Sequence, residues 1–284
     1  MALGFPLPQR LLVHSHWTVK KKKMSKSVGN VVNPFEAMGT YGTDAARYFL
    51  ARAGGRFKHD VGTSLLRHAV NGGSSHFTTI DWSRTQFAKH STELMSLVGN
   101  FYSRVTAEKL EILLRSSPKP TIIELQAAVA DGKQVLGSEI LVQLGELQKR
   151  TQERMQDLDV GDAVQEVVDV LTLVSLEHHP PRDSVVDSQK SLRLQANKIY
   201  SEAQPWLPSA NDSHRAQIHA ISVETLRICG ILLQPFIPEK SVELLEALGT
   251  KPEERTWDYA KPGKGATGNF KRGIRLFVDP GLRK

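Results

Sequence analysis

A single cysteine, Cys229, stands among 284 residues, which excludes an intrachain disulfide and any zinc site built from several cysteines. Its setting, LRICGILLQPF, is apolar, so the thiol reads as a buried structural group; a nucleophilic cysteine needs polar, electropositive surroundings. No apolar run approaches the roughly 18 residues of a membrane span, so no membrane partner is expected. The opening MALGFPLPQRLLVHSHWTV has neither a signal-peptide nor a transit-peptide pattern: prolines at 6 and 8 precede a strand-like RLLVHSHW. There is no internal repeat, no Ser/His/Asp triad and no catalytic acid pair. The histidines form no ligand set. His14 and His16 alternate along the first strand, one facing a core and one a cleft, and His178 and His179 sit beside Pro180 and Pro181 in a polar loop.

Charge is what the chain has in excess. Lysine and arginine number 37 against 30 acidic residues, a net +7, which suits a polyanionic partner such as a nucleotide or nucleic acid without requiring one. The apolar share of 40% and charged share of 24% are those of an ordinary globular chain, long enough for one large or two modest domains.

Residues 10–20 read as a strand. TDAARYFLARA follows as a short helix with Thr43 at its N-cap, Tyr48 and Phe49 facing inward, and Gly54-Gly55 ending it. From Ser83 to Leu110, the residues Phe87, Leu94, Leu97, Val98, Phe101 and Val105 fall within one stripe of a helix. Further helices are expected over Ile122–Met155, Gly161–Val174, Leu194–Ala203 and Ser213–Leu233, with a last one over Pro238–Leu248 closed by Gly249. The C-terminal half is therefore a helical bundle, and the tail, YAKPGKGATGNFKRGIRLFVDP, a basic loop with one short strand. Two polar segments, 61–80 and 175–195, break the helical rhythm.

The most informative stretch is VKKKKMSKSVGNVVNP, from Val19 to Pro34. Lysines supply point charge, serines supply hydroxyls and glycine lets backbone N–H groups turn toward an anion, a mixture suited to a phosphate-handling loop. By composition alone a solvated charge run fits equally well. The string KMSKS, Lys23 to Ser27, resembles without departure the signature loop of class I aminoacyl-tRNA synthetases. VHSHWT before it, GNVVNP after it and YGTDAARYFL beyond resemble methionyl-tRNA synthetases of mitochondrial type, and the resemblance extends with gaps over most of the chain.

The resemblance implies a mostly α chain: a short α/β remnant of a class I catalytic domain over 1–60, then an anticodon-binding bundle over 81–250 and a basic tail over 251–284. The segments 61–80 and 175–195 are read as inserts, of the kind retained introns would leave. It implies methionine–tRNA ligase activity, with ATP, Mg2+, methionine and tRNA(Met) as cofactors and partners. No zinc ligand set is expected. The location implied is the mitochondrial matrix, with the cytoplasm as the alternative. Lys26 would neutralise triphosphate charge as pyrophosphate leaves, with Lys23, Ser25 and Ser27 assisting; Lys20 to Lys22 are read as surface charge.

Asn100 and Arg104 lie four apart on one helix face. On the residues alone they make an ordinary solvated edge; the family pattern has both touching anticodon bases. Trp206, in ANKIYSEAQPW, matches the tryptophan that stacks on the anticodon, its plainer role being to cap the bundle, and Asn197 is read as structural. No His-Ile-Gly-His-like motif occurs, so the chain is expected to open inside the catalytic domain and not to charge tRNA alone. A noncatalytic RNA-binding module and a class I ligase for another amino acid remain as alternatives.

Overall fold

The computed structural model describes residues 17–54, 80–115, 117, 119–175, 205–207, 210–268 and 270–277. Strand β1 (Trp17–Val19) turns back into β2 (Lys22–Lys23), and β3 (Ile80–Asp81) lies parallel on the other side of β1. Helices α1 (Pro34–Tyr41) and α2 (Thr43–Gly54) follow the hairpin. The bundle then runs through α3 (Arg84–Leu94), a π-helical turn (Met95–Asn100), α4 (Phe101–Val105) and α5 (Glu108–Leu114). It continues with α6 (Ile122–Ala130), α7 (Ser138–Gln156), α8 (Val160–Ser175), α9 (Asp212–Leu233) and α10 (Pro238–Ala247). The mostly helical architecture is as the sequence predicts.

The core is the buried stripe of the α3–α4 run, Leu94, Leu97, Val98, Phe101 and Val105, packed with Leu144, Val167, Leu171, Ile221, Leu226 and Leu245. α9 is its centre, buried nearly throughout, and packs on α4, α7, α8 and α10. Cys229 is buried there, and burial pushes its thiol well above the ordinary range, as expected of a structural cysteine.

Local chemistry corrects several expected boundaries. The Ser83–Leu110 helix breaks at Thr106, whose hydroxyl and backbone N–H both donate to the Tyr102 carbonyl, at 2.9 and 3.0 Å; Ala107 is then extended. The Ile122–Met155 run is two helices, because Gly132 and Gly137 take φ of 73° and 83°, left-handed values that glycine adopts without steric cost. Thr43 is the first helical residue of α2 rather than its cap; Ala46 N–H donates to the Gly42 carbonyl. The described part of the tail holds two 3₁₀ turns, Pro252–Glu254 and Trp257–Tyr259, and no strand. The helix expected over 194–203 and the segments 61–79 and 176–195 lie outside the described residues; Ile80 is in β3, and Ser175 ends α8.

The N-terminal hairpin and helices are fastened to the bundle in two ways. Trp17, Phe49, Phe87 and Tyr41 form an aromatic cluster with ring centroids 4.3 to 5.6 Å apart, joining β1, α1, α2 and α3. Polar contacts do the rest. Asp44 Oδ2 accepts from Lys240 N–H at 2.7 Å, so α2 caps the N-terminus of α10, whose own preceding residue supplies no side-chain cap.

Deeper in, Glu93 accepts from Tyr48 Oη at 3.0 Å, pairs with Arg52 at 3.3 Å and meets His90 Nδ1 at 3.1 Å. Burial alone would raise the Glu93 carboxyl, but the bond to His90 and the charge of Arg52 outweigh it and hold the pKa at about 2. Folded Glu93 thus binds its proton less readily than unfolded Glu93. Its contribution, on the order of 3 kcal/mol, is complete above the ordinary value of 4.5 and disappears as pH falls toward about 2. Urea titrations across that window should show a flatter acid limb for Glu93→Gln than for the parent chain. An equally steep limb would show that other groups govern acid unfolding.

Candidate phosphate loop and nucleic-acid face

The lysine run is a hairpin. Lys20 and Lys21, with φ of 52° and 60°, form its two-residue turn, and Val19 faces Lys22 while Thr18 faces Lys23. Two consecutive left-handed residues match the twist of a β-hairpin, at a cost of about 1 kcal/mol for each non-glycine residue. Lys20 to Lys22 are therefore structural as well as surface charge, a role that only a strand reading through Lys23 could have revealed.

Beyond β2, one side chain shapes the motif. Asn30 Nδ2 donates to the Lys23 carbonyl at 3.1 Å, and Asn30 Oδ1 accepts from Ser25 N–H at 2.8 Å. Its amide thus closes the loop from Lys23 to Asn30. Inside that loop Val28 and Gly29 N–H donate to the carbonyls of Ser25 and Lys26, each at 3.2 Å, and the Ser25 and Ser27 hydroxyls bond each other at 2.7 Å. Gly29 turns the exit with φ 69°. The chain then enters α1 through Asn33, whose side chain accepts from Phe35 N–H, with Pro34 at the first helical position.

Lys23, Lys26 and Ser27 are exposed on this frame and Ser25 is half-buried. Two ammonium groups and two hydroxyls at one loop can hold a polyphosphate and neutralise charge that grows on it. Asn30 was not among the expected site residues. Its signal was present, a Gly-Asn pair directly after the serines, but nothing in sequence shows an amide bridging backwards to residues 23 and 25.

The second face lies on the bundle. Asn100 ends the π turn and is exposed; Arg104 is half-buried, and its Nε donates to the Asn100 carbonyl at 3.4 Å. The guanidinium therefore folds back along the helix onto the Asn100 backbone carbonyl, and the two residues share one helix face. Tyr102, on the opposite side of the helix, is buried and donates to the carbonyls of Ala247 and Lys271, fixing how α4 is rolled.

Trp206 is 39% exposed. The loop that carries it is gripped by Arg215, itself only 1% exposed. Nε donates to the Pro205 carbonyl at 2.9 Å, and one terminal nitrogen donates to the Leu207 and Ala210 carbonyls at 2.9 and 3.0 Å. The other terminal nitrogen pairs with Asp212. The carbonyls on either side of Trp206 are thus held by one planar cation. Arg215 was missed in sequence because an arginine in the first turn of a helix reads as surface. α9, which starts just before it, packs against α4, so the helix that grips the Trp206 loop adjoins the helix that bears Arg104. The Lys23–Ser27 loop is a separate site on the hairpin.

Known proteins resemble the chain over most of its length. Residues 1–106, which hold the loop as well as Asn100 and Arg104, match the family model of tRNA synthetases class I (M). A Neurospora crassa protein named "Probable methionine--tRNA ligase, mitochondrial" is 33% identical over 99% of this chain and 39% of its own length. One of the same name from Schizosaccharomyces pombe is 30% identical over 92% of this chain and 39% of its own. Among solved structures, Mycobacterium tuberculosis methionyl-tRNA synthetase bound by methionyl-adenylate superposes with a TM-score of 0.64 at 22% identity, covering 97% of this chain and 45% of that one. The chain belongs to the methionyl-tRNA synthetase family of class I tRNA synthetases, and it spans about two fifths of the length of the curated relatives it matches.

Proposed function

We propose that the chain serves methionine–tRNA ligation, contributing the loop that handles ATP and the bundle that reads tRNA(Met). The observation that carries this reading is the Asn30-closed Lys23–Ser27 loop on the same chain as the Asn100–Arg104 patch and Trp206. Activation joins the methionine carboxylate to the α-phosphate of ATP and releases pyrophosphate. Negative charge builds on the departing phosphates, and an exposed Lys26 on a loop of fixed shape stabilises that charge more in the transition state than before it. Lys23 adds a second cation, and Ser25 and Ser27 supply hydroxyl bonds. Mg2+ would share the neutralisation on the phosphates. Support for ATP comes from the methionyl-adenylate held by the Mycobacterium tuberculosis enzyme.

On the bundle, the Asn100 amide and Arg104 guanidinium have the donors and acceptors to bond base edges, and a partly exposed indole offers a stacking surface. We assign these three residues to the anticodon. A mitochondrial location is supported by the printed names of the Neurospora, Schizosaccharomyces and Saccharomyces relatives.

The test is binding of the chain to anticodon stem-loops bearing CAU or single-base variants, across a salt series. Expected is salt-sensitive binding with a preference of about 5- to 150-fold for CAU, since one mismatched readout costs about 1–3 kcal/mol. Equal affinity for every loop would leave only the nonspecific electrostatic term and overturn the assignment of Asn100, Arg104 and Trp206.

A further inference from the structure

A cavity of about 470 Å³ opens where the α4–α5 turn, α9 and the C-terminal tail meet, and neither site above uses it. Its volume falls in the range of small-ligand pockets, roughly 300–1,000 Å³. The walls include Thr106, Arg115, Lys119, His219, Phe270 and Arg272.

Their chemistry is uneven in an informative way. His219 and Phe270 form an aromatic wall, with ring centroids 6.0 Å apart and planes at 65°. His219 bonds the Val105 carbonyl, and burial holds its pKa down to about 4. At neutral pH the ring is therefore uncharged, with one nitrogen donating to Val105 and the other an acceptor. Arg115 and Lys119 are exposed cations at the rim. The acidic lining residue, Glu111, is paired with Arg272 and does not oppose an incoming anion. An aromatic wall with cations at the rim fits a flat heteroaromatic ring whose attached phosphate stays at the surface.

Position narrows the choice among such ligands. Val105 and Thr106 line the cavity and directly follow Arg104, while Ala216, His219 and Ala220 come from α9, the helix whose Arg215 holds the Trp206 loop. An RNA loop lying on Asn100, Arg104 and Trp206 would reach the end of α4, where Val105 and Thr106 open onto the cavity. We propose that the cavity receives the unstacked base of a nucleotide flanking the anticodon, with its phosphate against Arg115 and Lys119. The inference rests on the reading of the bundle as an anticodon-binding face. It also gives the basic tail a part in binding, since Thr267, Gly268, Phe270 and Arg272 build one side of the cavity.

The test uses the full chain and the CAU stem-loop. Ala220→Trp, which fills the cavity, should weaken binding about tenfold, the effect of losing one stacked base, while the preference for CAU over its variants persists. Stem-loops made abasic at one flanking position after another should reveal a single position whose loss costs the parent chain about tenfold and the Ala220→Trp chain nothing more. Lys119→Ala should reduce the salt slope by about one phosphate contact. Parent-like affinity in a folded Ala220→Trp chain, together with no sensitive flanking position, overturns the cavity proposal and leaves the anticodon assignment intact. If the Ala220→Trp chain does not fold, the abasic series on the parent decides by itself. Absence of any CAU preference in the parent removes both readings.

Discussion

Arg215→Met is expected to lower affinity for the CAU stem-loop by about 10- to 100-fold, although Arg215 lies buried and is not assigned to any base. The size follows from what depends on it. Base stacking on one aromatic side chain is worth about 1–3 kcal/mol, and Trp206 can stack as proposed only if its neighbours Pro205 and Leu207 keep their places. Arg215 holds them there through bonds to the carbonyls of Pro205, Leu207 and Ala210. Methionine fills part of the space and removes one donor from each of three carbonyls, of which Leu207 keeps the Ala210 N–H.

Lysine is no substitute, because a compact ammonium cannot span acceptors that a planar fork reaches from both edges. A cation in the first turn of a helix also sits against the unfavourable end of the helix dipole. Asp212, one turn earlier, offsets this through its pairing with Arg215. The position is therefore retained for geometry rather than for local helix stability.

The measurement that separates presentation from plain destabilisation is a double-mutant cycle. If Arg215 acts through Trp206, Trp206→Ala and the double variant bind equally weakly, and Arg215→Met costs nothing once the indole is gone. Additive losses would show that Arg215 supports binding by another route.

How far the sequence anticipates this molecule depends on how local each cause is. The stripe from Phe87 to Val105 is buried as its spacing predicts, because a period of 3.6 residues survives any tertiary context that needs one apolar face. The interruption at Thr106 and Ala107 did not show in that pattern, since a hydroxyl bonding its own helix leaves the hydrophobic spacing unchanged. Gly132 follows an aspartate, a turn signal that the apolar residues before Asp131 and after Gln134 concealed.

The site divides in the same way. Lys23, Lys26, Ser25 and Ser27 could be proposed from a contiguous string that resembles a family signature, and Asn100 and Arg104 from the same resemblance, since their four-residue interval alone reads as a solvated helix edge. Asn30 and Arg215 could not, because their function is to bond backbone carbonyls and an amide whose positions exist only after folding. The same holds for the cavity beside α4, whose walls come from four stretches of chain more than 150 residues apart at the extremes.

The largest loss of stability is expected at Arg227, in the middle of α9. Its side chain is fully buried, and Glu224, one turn earlier, takes both Nε and a terminal nitrogen at 2.8 Å. The remaining donors go to the tail: Tyr259 carbonyl at 2.7 Å and Lys261 carbonyl at 2.8 Å. Gly263 N–H closes the set on Glu224 at 2.8 Å. This ion pair ties the first part of the tail to the core helix. The fit is close: a Cβ at Gly265 would stand 2.9 Å from the Arg227 terminal nitrogen.

Arg227→Met leaves a buried carboxylate with a single backbone donor and takes one donor from each of the Tyr259 and Lys261 carbonyls, of which Lys261 keeps the Lys264 N–H, so the expected cost is about 3–5 kcal/mol. Glu224→Gln keeps a neutral acceptor in place and should cost less. Replacing both with Met and Leu removes the uncompensated charge, and it should be clearly less destabilising than the sum of Arg227→Met and Glu224→Leu. Urea unfolding of the four chains gives the cycle, and trypsin cleavage after Lys261 or Lys264 reports the tail separately. Single variants within about 1 kcal/mol of the parent would mean that the tail holds without the pair. The cavity lined by Phe270 and Arg272 would then not depend on it either. If the costs are as large as expected, Arg227→Met should loosen that wall as well and weaken RNA binding beyond its effect on folding.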